Sequence, residues 1–361
     1  MKTILYSLAL FLIAVGGRAQ NDKPLKLAVA GVSHGHLHEV IIRMDRGDFQ
    51  VVGVAEQNPE LLKNTVLHQK LDESVFFSDL EQMLDVTKPE VVVAYGNIYD
   101  HLNVVEACAP RGIHVMVEKP LAVSVDHAEK MARLARKYNI MVLTNYETSW
   151  YASNQEAYKM IKQQNKIGAI TRMEVYDGHQ GPFEIGCGKE FTDWLTDPKL
   201  NGGGAVIDFG CYGANLATWL LDGQKPLSVY AVLQHQKPEK YPKVDDDATI
   251  IVQYPTATVQ IMASWNWPMN RKDMHIYGSK GYIYQDNATA MRIYENKKES
   301  KYIAPKLQAP YNDSFYYLKA VVRKQIEVKP TDLAALENNL MVVRILNAAI
   351  QSSRTGKAVK W

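Results

Sequence analysis

The chain has 361 residues, of which 47% are hydrophobic and 22% are charged, a balance typical of globular proteins. This length exceeds that of one typical core and favours two domains. Lys and Arg number 41 against 39 Asp and Glu, a balance that argues against nucleic acid or an anionic membrane surface as the main partner.

Residues 1–19 have the pattern of a secretory signal peptide. Lys2 gives a positive start, residues 4–15 are almost wholly apolar, and residues 17–19 (GRA) offer a small-x-small cleavage signal. A membrane anchor is the alternative, but an apolar run of about twelve residues is short for a bilayer. We therefore predict a periplasmic or secreted protein whose mature chain begins near Gln20 and keeps no stable membrane anchor.

Strands and helices alternate from residue 25 to residue 145. The predicted strands are 25–30, 50–55, 90–94, 113–117 and 140–144, with a short strand and a helix within 76–84, and the other predicted helices are 38–45, 59–68, 101–111 and 125–138. Such βαβ units form a parallel sheet covered by helices on both faces, because their crossovers are right-handed. We predict an α/β fold in which residues 25–145 form a doubly wound Rossmann domain.

Residues 146–330 have a different pattern. Helices are predicted at 154–165 and 208–221, and the alternating apolar segments predict strands at 171–176, 227–234, 248–254, 258–265, 273–277, 282–285 and 291–294. Strands in series favour a second, α+β domain with an open, mostly antiparallel sheet, one face of which is solvated or used for association. Residues 331–361 carry a last helix, at about 333–352, which we predict to pack back on the first domain.

The turn after the first predicted strand, residues 31–36, reads GVSHGH. A dinucleotide-binding turn favours G-x-G-x-x-G, for a tight turn, close approach of the pyrophosphate and close helix packing. Gly31 fits, whereas Ser33 and His36 replace the second and third glycines. A rival hypothesis makes the alternating histidines of residues 34–38 the ligands of a metal-dependent hydrolase. Because the other histidines form no recognisable pair, we predict no metal ligands.

The second predicted strand is followed by Glu56. An acidic residue roughly 20 positions after the glycine turn hydrogen-bonds the adenosine ribose in NAD-binding folds, and its charge repels a 2′-phosphate. Glu56 therefore favours NAD over NADP.

Four further segments, in order along the chain, resemble the glucose–fructose oxidoreductase / inositol dehydrogenase (Gfo/Idh/MocA) family. Residues 94–101 (AYGNIYDH) are similar to the family's A-T-P-N-x-x-H, with Tyr and Gly in place of Thr and Pro. Residues 118–120 (EKP) match its most specific short signature. Residues 202–212 (GGGAVIDFGCY) resemble its G-G-G-x-x-x-D-x-G-x-H, and residues 353–359 (SRTGKAV) resemble its C-terminal ending.

The resemblance implies an NAD(P)-binding Rossmann domain and a C-terminal open sheet that often forms the dimer or tetramer surface of family members. Substrates are implied to be sugars, cyclitols or their derivatives, with hydride transfer between a C–OH/C=O carbon and the nicotinamide C4. Cofactor contacts are implied for Gly31, Val32, Ser33, His34, Glu56, Asn97, His101, Glu118 and Lys119. We therefore predict a homodimer or homotetramer with a small-molecule sugar or polyol substrate and no nucleic-acid partner.

Oxidation of an alcohol needs a base for the hydroxyl proton and a cation for the developing alkoxide. Lys119 stands at the carboxyl end of a parallel strand, where such sheets place their ligands, and burial can lower its pKa. Asp208 and Tyr212 are four residues apart and share a face if one helix holds both. The resemblance makes Asp208 a ligand of a substrate hydroxyl and Tyr212, in place of the family's His, the proton-transfer residue.

We predict Lys119, Asp208 and Tyr212 as the catalytic residues. Tyr212 can act as the base only if a cation such as Lys119 lowers its pKa, and the alternative is that it only hydrogen-bonds the substrate. Asn145 and His179 are predicted to bind the substrate together with these three. Weaker candidates for the lining of a sugar site are Tyr146, Gln180, Trp194, Trp265 and Trp267.

These observations predict an NAD(P)-dependent oxidoreductase acting on CH–OH groups of a sugar, cyclitol or glycoside. Free nicotinamide cofactor is scarce outside the cytoplasm, so export favours a tightly bound cofactor that successive steps return to its starting state. An NAD-dependent glycosidase or lyase acting by transient oxidation is the first alternative. A non-catalytic sugar-binding module or a metal-dependent hydrolase is the second.

Overall fold

The computed structural model describes residues 23–361, so the predicted signal peptide lies outside the described residues. Within the described part, no helix combines the length and the apolar character needed to cross a membrane.

The first domain contains a six-stranded sheet whose strands all run parallel. Its strands are β1 (Leu25–Ala30), β2 (Phe49–Ala55), β3 (Phe76–Phe77), β4 (Val91–Ala94), β5 (His114–Glu118) and β6 (Val142–Asn145), and its helices are α1 (His38–Arg43), α2 (Pro59–Asn64), α3 (Leu80–Thr87), α4 (His101–Cys108) and α5 (Val125–Tyr138). The order across the sheet is β3-β2-β1-β4-β5-β6, so the strand order reverses between β1 and β4. Open α/β sheets bind their ligands at such a reversal, outside the carboxyl ends of the strands.

Local sequence determines where the helices of this domain begin and end. The Ser124 hydroxyl accepts the His127 amide at 3.2 Å and caps the start of α5, while Asn139 adopts a left-handed conformation at its end. Asn58 caps α2 in the same way, with Pro59 in the first turn, where no amide donor is needed.

The second domain is built on a nine-stranded, mostly antiparallel sheet. Its strands are β7 (Ile170–Gly178), β8 (Ser228–Gln234), β9 (Asp247–Gln253), β10 (Thr258–Ser264), β11 (Arg271–Gly278), β12 (Tyr282–Gln285), β13 (Ala290–Glu295), β14 (Lys298–Ile303) and β15 (Val359–Lys360). The order is β14-β13-β12-β11-β7-β10-β9-β8-β15, and within it β7 and β10 pair in parallel. The predicted fold class, a Rossmann domain followed by an α+β domain on an open sheet, is confirmed.

Six helices accompany the second half of the chain. They are α6 (Ala152–Tyr158), α7 (Lys189–Leu195), α8 (Ala205–Asp208), α9 (Gly210–Leu220), α10 (Ser314–Val322) and α11 (Leu336–Thr355). Although α10 lies within the predicted second domain, it packs on the first sheet, where Phe315 stacks on Phe49 at 4.8 Å. The last helix, α11, joins the two domains rather than packing on the first alone, because Val343 lies in the first core and Leu346 in the second.

Candidate active site

A cavity of about 390 Å³ lies at the carboxyl ends of β1, β2 and β4, where the strand order reverses. Its lining includes five of the predicted cofactor-binding residues: Gly31, Ser33, Glu56, Asn97 and His101. The volume is within the range of small-molecule sites in proteins. The structure therefore brings five of the nine sequence-predicted cofactor residues together around one space, whereas Val32, His34, Glu118 and Lys119 are not part of its lining.

Gly31 is the glycine that this turn requires. Its φ of +79° favours glycine, and a Cβ added there would lie 2.5 Å from the backbone nitrogen of Gly96. The turns after β1 and β4 therefore approach each other backbone to backbone. Gly96, at the position where the family pattern has Pro, contributes to this close approach.

Glu56 connects the turn after β1 to the turn after β2. Its Oε2 accepts the Val32 amide at 3.1 Å, and its Oε1 accepts the Asn58 amide at 2.9 Å. The lining also contains three more carboxylates, and among its described residues it contains no Lys or Arg: the carboxylates are Asp100, Glu190 and Asp193. This wall of the cavity is therefore acidic.

The histidines of the turn after β1 bond to one another and to the end of β5. The Nδ1 atom of His34 accepts the His36 amide at 3.1 Å, and the Nδ1 atom of His36 lies 3.1 Å from Oε2 of Glu118. Ligand atoms of these three residues lie within 4.8 Å of one another. His38 does not join them, because its Nδ1 atom bonds the Gly35 carbonyl at 2.7 Å. Both Nδ1 atoms of the cluster are thus engaged in hydrogen bonds at the turn.

His36 and Glu118 each favour the charged form of the other. Burial opposes ionisation of Glu118, but the neighbouring His36 outweighs it and lowers the pKa of this carboxyl to about 2. Against the same effect of burial, Glu118 raises the pKa of His36. Burial lowers the pKa of His34 well below its ordinary value, so this ring is neutral. Asn145 donates to Oε1 of Glu118 at 2.8 Å and accepts the Trp150 indole N–H at 3.1 Å, which places it as a support for Glu118.

Two buried polar atoms of the cavity lining have no hydrogen-bond partner within residues 23–361. One is Nε2 of His101, whose Nδ1 bonds the Leu121 carbonyl at 3.2 Å, and the other is the indole nitrogen of Trp194. Burial lowers the pKa of His101 to about 4, so the ring is neutral and Nε2 is free to accept. Buried polar atoms are rarely left unpaired in proteins. A dinucleotide, with its hydroxyl and amide groups, fits a cavity that presents both an acceptor and a donor.

Lys119 and Asp208 form a buried ion pair between the two domains. The Lys119 Nζ atom lies 2.5 Å from Oδ1 of Asp208 and donates to its backbone carbonyl at 3.0 Å, while the Trp265 indole donates to Oδ2 at 2.9 Å. Burial by itself would lower the pKa of Lys119, but Asp208 raises it above its ordinary value. Lys119 is therefore a cation at neutral pH, in contrast to the sequence-based suggestion that burial lowers its pKa.

Asp208 and Tyr212 do not share one helix as the sequence predicted. Asp208 ends α8, Phe209 interrupts the helical path, and Tyr212 lies in the first turn of α9. In a continuous helix the Asp208 carbonyl would accept the Tyr212 amide. It accepts the Lys119 ammonium instead, and the Tyr212 amide donates to the Phe209 carbonyl at 3.1 Å.

The glycine-rich segment before α8 packs against Asp245. A Cβ on Gly204 would lie 1.7 Å from the Asp245 carbonyl oxygen, so this position admits only glycine. The Asp245 carboxylate accepts the amides of Gly204 at 2.8 Å and Val206 at 2.7 Å, which satisfies the start of α8. The close approach therefore fixes the short helix that carries Asp208.

Tyr212 is buried, and its ring is close to two cations. The Nζ atoms of Lys119 and Lys272 each lie 5.1 Å from the centre of this ring, and the Tyr146 ring meets it edge-on at 5.4 Å. Burial raises the pKa of Tyr212 well above its ordinary value, and the charge of Glu147 acts in the same direction. Tyr212 is therefore a neutral phenol at pH 7 with a proton to donate. The neighbouring cations do not lower its pKa, although the role as the base predicted from the sequence requires this.

His179 lies beside this group, just after β7. Its ring packs edge-on against Phe209 at 4.9 Å, and its Nδ1 accepts the Gly181 amide at 2.9 Å. Burial lowers the pKa of His179, although Asp208 opposes the change. The ring is thus neutral with its proton on Nε2, a hydrogen-bond donor.

Sequence reasoning missed three charged or ionisable residues of this site. Lys272 on β11 stands opposite Asp177 on β7 in the register of the sheet, and it forms an ion pair with Glu147, which follows β6 of the first domain. Asp177 is 1% exposed, and its Oδ2 has no partner within residues 23–361. No local motif marks these residues, because the strand register and the domain packing bring them together.

Comparison with known proteins places the chain in a family. Residues 25–146 match the oxidoreductase family with an NAD-binding Rossmann fold, and residues 154–284 match the GFO/IDH/MocA C-terminal domain. The chain belongs to the GFO/IDH/MocA family. The predictions of this family and of an NAD(P)-dependent oxidoreductase acting on CH–OH groups are confirmed.

Named relatives and solved structures resemble this chain over most of its length. The trans-1,2-dihydrobenzene-1,2-diol dehydrogenase of Xenopus tropicalis is 26% identical over 315 residues, which cover 84% of this chain and 90% of the relative. The aldose-aldose oxidoreductase of Caulobacter crescentus, solved with glycerol, has a TM-score of 0.80 at 23% identity and covers 94% of this chain and 100% of the other. An inositol dehydrogenase homolog of Azotobacter vinelandii, solved with NAD⁺, has a TM-score of 0.79 at 16% identity, with 94% and 98% covered.

Proposed function

We propose that this GFO/IDH/MocA oxidoreductase transfers a hydride between the nicotinamide C4 of NAD and a C–OH/C=O carbon of a sugar or related polyol. The observation that carries the proposal is the buried Lys119–Asp208 pair beside Tyr212, formed where a parallel strand of the cofactor-binding sheet ends. Named relatives that act on a diol or aldoses, and a structural relative named for inositol, support a polyhydroxylated substrate.

When bound, the cofactor supplies the hydride donor or acceptor, and the side chains of this chain manage charge and protons. Lys119 stabilises negative charge on the reacting oxygen, and Asp208 keeps this ammonium charged and in place. In the direction of reduction, the neutral phenol of Tyr212 gives its proton to the carbonyl oxygen. In the direction of oxidation, Tyr212 takes the proton of the substrate hydroxyl only in its phenolate form, which burial disfavours at neutral pH. The Nε2 proton of His179 is available to a neighbouring substrate oxygen.

NAD rather than NADP is the proposed cofactor. Four carboxylates line the cavity, and the described lining contains no Lys or Arg that would pair with a 2′-phosphate. Residues Gly31, Ser33, Glu56, Asn97, His101 and Trp194 would hold the dinucleotide. Val32, His34 and Glu118 contribute indirectly, because they shape and hold the turn after β1.

We further propose that the chain is exported and that its cofactor stays bound between turnovers. The signal-like pattern of residues 1–19 supports export, and the unpartnered atoms of His101 and Trp194 support a dinucleotide that is held by buried contacts. A retained cofactor returns to its starting state when one substrate is oxidised and another is reduced. The name of the aldose-aldose relative describes such a pairing of substrates.

A second copy of this chain is the proposed partner of the outer face of the second sheet. Tyrosine rings stack there, with centres 4.4 Å apart for Tyr282 and Tyr284 of β12 and 4.9 Å apart for Tyr282 and Tyr294 of the neighbouring strand β13. Val232 on the same sheet is 44% exposed. A contiguous aromatic face of this kind is typical of association surfaces.

The test is turnover with a panel of neutral aldoses, cyclitols and diols, assayed singly for reduction of NAD and in pairs for coupled oxidation and reduction. We expect turnover that Tyr212→Phe lowers by at least about a hundredfold, because this change removes the proton-transfer group. The Tyr316→Phe variant is the matched control, since this half-buried tyrosine packs under Arg46, away from the Lys119–Asp208 pair. Absence of turnover across the panel, with cofactor bound, would overturn the proposal.

A further inference from the structure

Lys272 and Glu147 form a second ion pair between the domains, next to the one that Lys119 and Asp208 form. Glu147 follows β6 of the first domain, and Lys272 lies on β11 of the second. The second pair is more accessible than the first: the Lys272 and Glu147 side chains are 22% and 44% exposed, against 8% and 6% for Lys119 and Asp208. The ring of Tyr212 lies close to the ammonium groups of both pairs.

The ammonium groups of Lys119 and Lys272 differ in how far their charges are neutralised by their partners, and therefore in how strongly each can affect the ionisation of Tyr212. Both lie 5.1 Å from the centre of its ring, a distance at which a cation is attracted by the ring face. Lys119 is held by two hydrogen bonds to Asp208 and by its burial, so its charge is largely matched. The charge of Lys272 is matched by Glu147, a partly exposed carboxylate that is itself the first of the charges opposing ionisation of Tyr212.

We propose that the Lys272–Glu147 pair controls the ionisation of Tyr212 in the proton-transfer step. Lys272 favours the phenolate form of Tyr212, and Glu147 disfavours it. The inference rests on the proposed role of Tyr212 as the residue that exchanges a proton with the substrate. Opposite charges beside one phenol shift its ionisation in opposite directions. The balance between the two side chains thereby sets the pH range in which oxidation of an alcohol is fast.

Other charged and ionisable groups surround Tyr212 and Lys272, and they limit the size of the effect. Asp208 and Cys211 precede Tyr212 in the chain, and Tyr146 and Glu118 approach it from the first domain. Asp177 and His179, from β7 and the turn after it, lie close enough to Lys272 to interact with its charge. Asp177 is the most consequential of these, because it stands opposite Lys272 in the sheet and is buried without a partner for Oδ2 within residues 23–361. Burial raises the pKa of Asp177 well above its ordinary value, so this carboxyl is neutral at neutral pH and Glu147 is the carboxylate that pairs with Lys272.

The two members of the pair therefore differ in what their removal does. Glu147→Gln keeps the shape of the side chain and removes the negative charge, so ionisation of Tyr212 becomes easier. Lys272→Met keeps most of the length of the side chain and removes the positive charge, so ionisation becomes harder. A purely structural role for the pair would give the same loss of stability or activity in both variants, without opposite shifts.

The experiment titrates the tyrosines of the full mature protein by NMR, with a ¹³C label on the ring carbon that bears the hydroxyl. The signal of Tyr212 is assigned by its loss in Tyr212→Phe. We expect Glu147→Gln to move the titration of this signal to lower pH by about one unit and Lys272→Met to move it to higher pH. Lys298→Met is the matched control, because Lys298 is exposed on the edge strand β14, and it should leave the signal unchanged.

Shifts of the same sign in both charge variants, or no shift in either, would overturn the proposal. If Lys272→Met does not fold, Lys272→Arg replaces it and should keep the wild-type titration, while Glu147→Gln alone still decides the sign. The titration needs no substrate, so its outcome is independent of the sugar assay. With an active substrate, the pH profile of kcat for oxidation should shift in the same two directions, and with the cofactor bound but no turnover only the proposed function fails.

Discussion

The Trp265 indole donates its N–H to the oxygen of Asp208 that Lys119 does not bind, at 2.9 Å. Each oxygen of this buried carboxylate therefore has a charged or polar partner, which is the condition for a stable buried ion pair. The bond links the end of β10 to the end of α8, so the sheet of the second domain supports the Lys119–Asp208 pair directly.

Trp265→Phe should weaken the ion pair without removing it. Loss of a hydrogen bond to a buried charged group lowers the free energy of unfolding by about 2 kcal/mol, and kcat should fall as Asp208 becomes less firmly held. Urea unfolding and steady-state turnover measure the two effects. Trp267→Phe is the control, because that indole reaches only the Asp177 backbone carbonyl, at 3.3 Å, and its effect should be clearly smaller. Equal effects of both changes would show that the Trp265 bond has no special role.

Lys119→Met should stop turnover and destabilise the protein. The change leaves Asp208 buried and without its cation, a situation that lowers stability by roughly 3–5 kcal/mol. The double variant Lys119→Met/Asp208→Asn removes the unmatched charge, so it should regain most of the stability and none of the turnover. Thermal or urea unfolding measures the stability of the single and double variants, and steady-state kinetics measures their kcat. Recovery of activity in the double variant would contradict a catalytic role for the Lys119 cation.

Glu56→Gln should change the preference between the two nicotinamide dinucleotides. The carboxylate at the cavity wall repels a 2′-phosphate, and the amide keeps an oxygen that can still accept the Val32 amide. The ratio of the Kd for NADP to that for NAD should fall by roughly tenfold, as expected when one charge near the phosphate is removed. Calorimetric titration of each dinucleotide measures the ratio. An unchanged ratio would mean that Glu56 does not face the adenosine ribose.

The His36–Glu118 pair should make a pH-dependent contribution to the free energy of unfolding. Either Glu118→Gln or His36→Gln should remove this contribution. Because Glu118 raises the pKa of His36 from its ordinary 6.5, the protonated form is favoured by folding. This contribution is present in full below pH 6.5 and is lost as the pH rises through the higher pKa of the folded state. Unfolding by urea at several pH values between 5.5 and 8.5 should show a decrease for the wild type that is smaller in either variant. If both variants keep the wild-type dependence of unfolding free energy on pH, the His36–Glu118 pair is not the source of that dependence.

Sequence was most informative where function depends on a local motif. The strand ends that carry Gly31, Glu56 and Lys119 were predicted because buried strands and turn glycines have short-range signatures, and parallel strands bring their carboxyl ends to one edge. The cavity lining contains Gly31 and Glu56 as predicted, and the second sheet has the predicted mostly antiparallel form.

Other features depend on contacts that no short segment reveals. At the break near Phe209, the Asp208 carbonyl accepts the Lys119 ammonium rather than the Tyr212 amide. Lys272 meets Asp177 only through the register of β11 and β7. Strand β14 was missed because its sequence, KESKYI, is exposed and charged and lacks an alternating apolar face. Its pairing with β13 stabilises it as a strand, although its composition does not predict one.

The most direct measurement is the nucleotide content of the protein itself. The chain from Gln20 onward is purified without added cofactor and denatured, and the supernatant is assayed for NAD, NADH and NADP. The account predicts near-stoichiometric NAD(H), or tight binding of added NAD if the purified protein has lost it. No bound nucleotide, together with no binding of NAD at millimolar concentration, would contradict it.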